Sequence, residues 1–344
     1  MPAAEFSGTG VRAGAAGVAT GRCLAALLLL MVLPIVGQPQ EGASSERRPV
    51  DPYTIRISVD MVVLHATVRN RKGTPVSGLA EGDFQVYEDG VLQEIKYFSH
   101  EDIPVTVGLV VDNSGSMEPK RPEVIAAAVA FARSSNPQDQ MFVINFNEHV
   151  TFGLPIAMPF TDEPAQLQAA LSSITANGET ALYDAVAAGL EHLEKGNRDK
   201  KVLVVISDGA DNASRHNLAQ TLAMAGQSDA IIYTLGLFDP DDPDRNPHVL
   251  RQLAKATGGE AFLPETVKEV TPICERIARD IRNQYTIAFV PTNRQQDGTH
   301  RTIQVKAEAP GRGRLVVRTR TGYTAPLKPP PSPAAGAANH AVQN

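Results

Sequence analysis

Four apolar runs with little polar interruption, residues 104–111, Phe142–Phe146, 202–206 and Ala230–Thr234, alternate with stretches whose apolar positions recur every three to four residues. A continuous aliphatic run bounded by polar loops is what a strand covered on both faces requires. The 3.6-residue spacing between the runs predicts helices over residues 120–134, 162–174, 215–226, 246–257 and 266–283. A further helix follows residue 181, where Leu182, Val186, Gly189, Leu190 and Leu193 share one face, Lys195 falls in the last turn and Gly196 is placed to cap it. Strands alternating with helices in this way predict an α/β fold: a doubly wound, mostly parallel sheet with helices on both faces.

The flanks have a period of two instead. Ile55, Ile57 and Val59 alternate, and Val62, Leu64, Ala66 and Val68 continue after a slip of phase that suggests a bulge. Phe84 and Val86 lead to Asp89-Gly90, a favoured two-residue hairpin turn, with Val91, Gln93, Ile95 and Tyr97 as the return strand. Beyond the α/β part, Tyr285, Ile287 and Phe289, then Ile303 and Val305, then Leu315–Val317 alternate again. Neither flank has enough strands to bury a face by itself, so the two are expected to pair into one β-sandwich around an inserted α/β domain.

The first residues carry Arg12 and Arg22 followed by an apolar run from Cys23 to Val36, shorter than the ~20 residues of a membrane span. This pattern predicts a secretory signal cut near Gly37 and a secreted or periplasmic protein; an uncleaved N-terminal anchor is the alternative and the only expected route to a membrane. The expected organisation is a signal peptide over 1–37, a linker over 38–50, sandwich strands over 51–102, the α/β domain over 103–283, further sandwich strands over 284–325 and a Pro-rich tail over 326–344. After cleavage Cys274 is the single thiol, which excludes an intramolecular disulfide and fits a small buried apolar residue. A net charge of −6 offers no basic surface to a polyanion, so nucleic acid is not an expected partner.

Candidate chemistry collects where strands end. Asp112-Asn113-Ser114-Gly115-Ser116 closes the first run, Ser207-Asp208-Gly209 closes the third, and Gly178-Glu179-Thr180 opens a helix between them. If the two runs are central parallel strands, Asp112, Ser114, Ser116, Thr180 and Asp208 meet at one edge of the sheet, where open α/β sheets bind ligands. Two carboxylates without a counter-charge repel, and an all-oxygen cluster suits a hard divalent cation. Taken singly the same residues would read as a helix cap and turns. A second acidic stretch, Asp239 to Asp244, follows the fourth run, but two prolines and no terminal Glu make it a solvated loop rather than a calcium loop. Histidines are scattered singly, without zinc-site spacing.

The three segments, in order, resemble the metal-ion-dependent adhesion site of the von Willebrand factor type A family, whose first segment reads Asp-x-Ser-x-Ser and whose later segments supply one Thr and one Asp. The resemblance covers roughly residues 103 to 285. It implies a Rossmann-like fold in which Ser114, Ser116 and Thr180 reach the metal directly while Asp112 and Asp208 act mainly through waters. The expected ion is Mg²⁺, with Mn²⁺ or Ca²⁺ as alternatives. Neutral hydroxyl ligands leave the ion much of its charge, so a carboxylate from a protein partner would complete its shell. Bacterial secreted proteins related to the family are similar in the flanks too, in Asp83-Phe84 through Gly90 and in Gly322-Tyr323. The function expected is a secreted, non-enzymatic adhesion or protein-binding module. One competing reading is a phosphatase using Asp112, which would want a second Asp where Ser114 stands. A hydrolase using Ser114 would want Gly-x-Ser-x-Gly and a histidine base. The third is a scaffold whose ion only steadies the loops.

Overall fold

The computed structural model of the protein describes residues 61–173, 175–239 and 245–327, all within one unit. The expected signal peptide, the linker, the alternation at Ile55–Val59, most of the acidic stretch after Asp239 and most of the Pro-rich tail lie outside the described residues.

The chain opens with β1 (Val62–Asn70), β2 (Phe84–Glu88), β3 (Val91–Gln93) and β4 (Ile95–Ser99). The α/β part then runs β5 (Val105–Asp112), α1 (Arg121–Ser134), β6 (Gln140–Phe146), β7 (Val150–Phe152), α2 (Pro164–Ser172), α3 (Leu182–Leu193), β8 (Lys200–Ser207), α4 (Leu218–Gln227), β9 (Ile231–Gly236), α5 (Pro247–Thr257), β10 (Ala261–Phe262) and α6 (Val270–Arg282). It closes with β11 (Tyr285–Phe289), β12 (His300–Ala307), β13 (Leu315–Arg318) and β14 (Gly322–Thr324).

The central sheet has the order β10-β9-β8-β5-β6-β7 and is parallel except for the edge strand β7. Every residue of β5 is buried, because α6, α1 and α2 pack together as one helical layer and α3, α4 and α5 as the other. That is why its sequence is mostly apolar, with Thr106 and the terminal Asp112 as the exceptions, rather than alternating. Strand order reverses at β5: the chain leaves toward β6 on one side and returns as β8 on the other. The loops after β5 and β8 therefore open side by side.

The two flanks pair as the period-of-two patterns require. One sheet has the order β13-β1-β11-β4 and the other β14-β12-β2-β3, so each sheet mixes strands from both ends of the domain. Leu64, Ala66 and Val68 from β1 share a core with Phe84, Val86, Tyr285, Ile287, Phe289 and Ile303. The turn at Asp89-Gly90 has both residues at positive φ, 48° and 81°, the geometry of a tight hairpin. The return strand differs from expectation. It pairs with β2 over Val91, Leu92 and Gln93 and then passes to the other sheet as β4, which pairs with β11. Gln93 is buried at this corner and its amide exchanges hydrogen bonds with Thr292 at 3.0 Å in both directions, holding the crossover to the β11–β12 connection. The Asp83–Gly90 segment and Gly322-Tyr323 prove to be one feature, since the Tyr323 hydroxyl donates to the buried Glu88 carboxylate at 2.8 Å.

Gly196 also departs from its expected role. It has no positive φ, and a Cβ there would stand 2.5 Å from the Thr106 hydroxyl, so glycine is needed for close approach to β5 rather than for a left-handed cap. Cys274 is buried, with its thiol pushed up to about 12 by burial first and then by Glu275.

Charged groups fasten the sandwich to the α/β part. Arg69 of β1 reaches Asp280 of α6 and lies 3.1 Å from Glu260, which also accepts Arg318 of β13 and Arg276 of α6. Removing one member of a buried ion cluster strands the others in low dielectric. Arg69→Ala should therefore cost about 3 kcal/mol, read as a shift of the urea midpoint. Deleting residues 284–325 should leave residues 61–99 sensitive to protease, because β1, β2 and β4 all lose their cross-flank partners; a protease-resistant 61–99 fragment would show that the flanks do not depend on each other.

Candidate metal centre

The site is assembled from three loops at the carboxyl end of the central sheet. The aliphatic residues of β5 bring Asp112 to the rim, where the chain must turn because Asn113, Ser114 and Gly115 offer side chains or freedom for a loop rather than a core. The Asp112 carboxylate accepts the Ser114 N–H at 2.8 Å, an Asx turn that folds the loop back on itself. A short 3-10 segment, Gly115–Lys120, then leads into α1. On the next strand Ser207 ends β8, Asp208 follows, and Gly209 takes φ +80°. A Cβ on Gly209 would meet the Asn246 carbonyl at 2.4 Å, so this turn admits only glycine.

Four of the five expected residues form one hydrogen-bonded chain. From the Asx turn it passes between the Ser114 and Ser116 hydroxyls, 3.3 Å apart, and on from the Ser116 hydroxyl to the Asp208 carboxylate at 2.5 Å. Thr180 comes to the same edge by its backbone. Its N–H donates to the Asn212 side chain at 2.8 Å, its carbonyl accepts from Asn212 and Ala213, and its loop is tied to the first by Gly115 N–H to the Gly178 carbonyl (3.3 Å) and Asn177 N–H to the Asn113 carbonyl (3.0 Å). Asp112, Ser114, Thr180 and Asp208 are all buried, and Ser116 is the partly exposed member.

Sequence reasoning passed over Ser207. Its hydroxyl donates to the second oxygen of Asp112 at 2.6 Å and accepts the Gly209 N–H, so it braces both carboxylate-bearing loops. Position at the end of the apolar run was the available signal, but its neighbour Asp208 drew the attention. Asp184, in the first turn of α3, orients the loop after β8 by accepting the Arg215 and His216 N–H groups. Burial raises its carboxyl, yet bonds from the Arg215 and His216 N–H groups and from the His216 ring outweigh this and leave it lowered.

Electrostatics supply the test of whether a cation fits. Burial first, and then the charge of Asp208, push Asp112 up to about 6 despite hydrogen bonds from Ser114 and Ser207. No basic side chain among the described residues pairs with either carboxylate. Nor do three His, Cys, Asp or Glu side chains converge anywhere among the described residues in a way that could hold an ion. An ion here would thus rest on hydroxyls as much as on carboxylates, and the hard oxygen set of Asp112, Ser114, Ser116, Thr180 and Asp208 fits Mg²⁺ or a similar divalent cation.

Residues 107–210 match the family model of the von Willebrand factor type A domain, a span that contains all five residues. None of the curated proteins matches the chain. Among solved structures, a von Willebrand factor type A protein from Catenulispora acidiphila is 14% identical with a TM-score of 0.46, over 77% of this chain and 73% of that one. An aerotolerance-related membrane protein from Bacteroides fragilis is 15% identical at a TM-score of 0.42, over 52% of this chain and 98% of its own. The von Willebrand factor domain of a type V pilus tip protein from Porphyromonas gingivalis is 13% identical at 0.44, over 52% and 95%. Likeness at this level says nothing of what the chain binds.

The Asp112 shift fixes a pH dependence. Its folded value lies above the usual carboxylate range, so the folded ion-free protein holds a proton that the unfolded chain has released between pH ~4 and ~6. Stability from this group is full below that window and lost as pH rises through it. Asp112→Asn should remove that loss and stabilise the ion-free protein at pH 7 by about 1–3 kcal/mol. Paired urea titrations at pH 4 and pH 7, with chelator, check it; Asp139, also raised to about 6, contributes equally to both proteins and cancels.

Proposed function

Because the chain carries a von Willebrand factor type A domain, we propose that it is an exported, non-enzymatic binding module that grips a protein partner through a divalent cation, Mg²⁺ in the first instance, at the carboxyl edge of the central sheet. The observation that carries this reading is the pair of buried carboxylates, Asp112 and Asp208, facing one another through serine hydroxyls with no basic side chain to neutralise them. Asp112, Ser114, Ser116, Thr180 and Asp208 would hold the ion. Its chemistry there is that of a Lewis acid with charge to spare, and a carboxylate on the partner is the complementary group. This chain's residues supply orientation: the Asx turn sets Ser114, Ser207 braces Asp112, and Asn212 fixes the threonine loop.

A hydrolytic role for Ser114 finds no support in its surroundings, since its hydroxyl neighbours Ser116 rather than an imidazole base. The N-terminal charge and apolar pattern supports the exported part of this reading, which would put the site in the extracellular or periplasmic space.

Asp112→Ala should abolish uptake of Mg²⁺ and Mn²⁺ in calorimetric titration while leaving the far-ultraviolet circular dichroism unchanged, because the lost group lies at a sheet edge and not in the core. Equal uptake by both proteins would contradict the site. A carboxylate-bearing ligand released by chelator would support the partner chemistry, and retention in chelator would favour an ion that only steadies the loops.

A further inference from the structure

The loops around the proposed ion do not carry their charges evenly. Glu118, Glu148, Glu179 and Asp239 are exposed on the loops that follow β5, β6, α2 and β9, and Asp211 is partly exposed on the loop after β8. The loops are mutually fastened: Glu148 accepts the Glu179 N–H at 3.0 Å, Asp211 accepts the Tyr183 N–H at 2.9 Å, and the Asp208 carbonyl accepts Asn246 at 3.1 Å. Glu148 is built into the wall of the site. A Cβ on Gly178, whose carbonyl meets Gly115, would stand 1.6 Å from the Glu148 carboxylate, so that charge is fixed beside the serine loop.

The two basic residues that follow the serine loop have their charged groups engaged by the protein itself. Lys120 is buried with its ammonium on the Leu237 carbonyl at 2.8 Å, and Arg121 spends its guanidinium on the Asn113 side chain and the Leu171 carbonyl, both at 3.0 Å. On the loops after β5, β6, α2, β8 and β9, Arg215 and Arg245 are the exposed guanidinium groups among the described residues, fewer than the acids. A divalent ion offsets Asp112 and Asp208 and leaves the rim itself negative. A partner carboxylate embedded in further acidic groups would meet repulsion on the way in, whereas basic neighbours would meet attraction.

We infer that this rim selects a partner whose ion-directed carboxylate is flanked by lysine or arginine, and rejects polyacidic partners. The inference rests on the ion-and-carboxylate reading above and adds the chemistry around the carboxylate. The test uses the full chain in Mg²⁺ with three peptides that each bear one Asp, flanked by Lys, by Ser or by Glu, and with their Asp→Asn counterparts, at low and high salt. At low salt the Lys-flanked peptide should bind about tenfold tighter than the Glu-flanked one. The gap should narrow at high salt, where screening acts within about 8 Å or less, and in the Glu118→Gln/Glu179→Gln double variant, which keeps its Mg²⁺ uptake. Equal or reversed affinities among the Asp peptides, with their Asn counterparts silent, overturn the rim inference alone. Asn peptides that bind as well as Asp peptides overturn the carboxylate reading, and the Lys-over-Glu order then still judges the rim. No binding of any peptide overturns both.

Discussion

Two carboxylates buried at one sheet edge repel each other, and the architecture around them is organised by that constraint. Asp112 ends β5 and Asp208 follows directly on the neighbouring parallel strand β8, so no rotation of a side chain can carry them far apart. The protein answers the repulsion with hydrogen bonds: Ser114 and Ser207 to Asp112, Ser116 and the Ala210 N–H to Asp208. These bonds ease the burial of negative charge without cancelling it, and Asp112 stays well above its ordinary range. A group of donors that is hydrogen-bonded yet under-neutralised is poised for a cation, and that is the physical content of the proposed metal centre.

The rest of the domain keeps the three loops in place. The Asn113 side chain bonds Asn145 of β6 at 3.0 Å, and Asn145 in turn donates to the Ala170 carbonyl at the end of α2. Asn145 is fully buried, so this polar chain behind the serine loop is a fixed wall rather than a surface contact. The sandwich is fastened to α6 and to Glu260, just before β10, by the Arg69, Glu260 and Asp280 cluster, on a different set of elements from the loops that carry the site. Within the α/β part Lys200 of β8 donates to the Ile281 carbonyl of α6; burial lowers its ammonium to about 7 against the pull of Asp102 and Asp139.

The α/β fold was legible in the chain because a strand covered on both faces is made mostly of apolar residues, and the middles of β5, β6, β8 and β9 appear as such runs. Helices were legible from spacing, and the pairing of the flanks from the shortage of strands in each. Gln93 marks where this reasoning ends. An alternating pattern cannot tell a strand that continues in one sheet from one that crosses to another, because both keep the period of two; the crossover depends on a bond to Thr292, almost two hundred residues away. Glu88 and Tyr323 are a similar case, a buried acid and a phenol that need each other and lie at opposite ends of the described chain.

By itself the sequence determined most of the strands and helices, which loops carry the candidate oxygen groups, and that those loops fall at the ends of central strands, since each of these follows from local composition and period. Only the tertiary structure decided that Ser207 braces Asp112, that Asn212 holds the threonine loop, that Lys120 and Arg121 turn inward while the glutamates stay outside, and that Glu148 stands over Gly178. The reason is the range of the forces involved. Backbone preference and hydrophobic period act over a few neighbouring residues, whereas the direction of a charge or a hydroxyl is set by whichever distant segment the fold brings within about 3 Å of it.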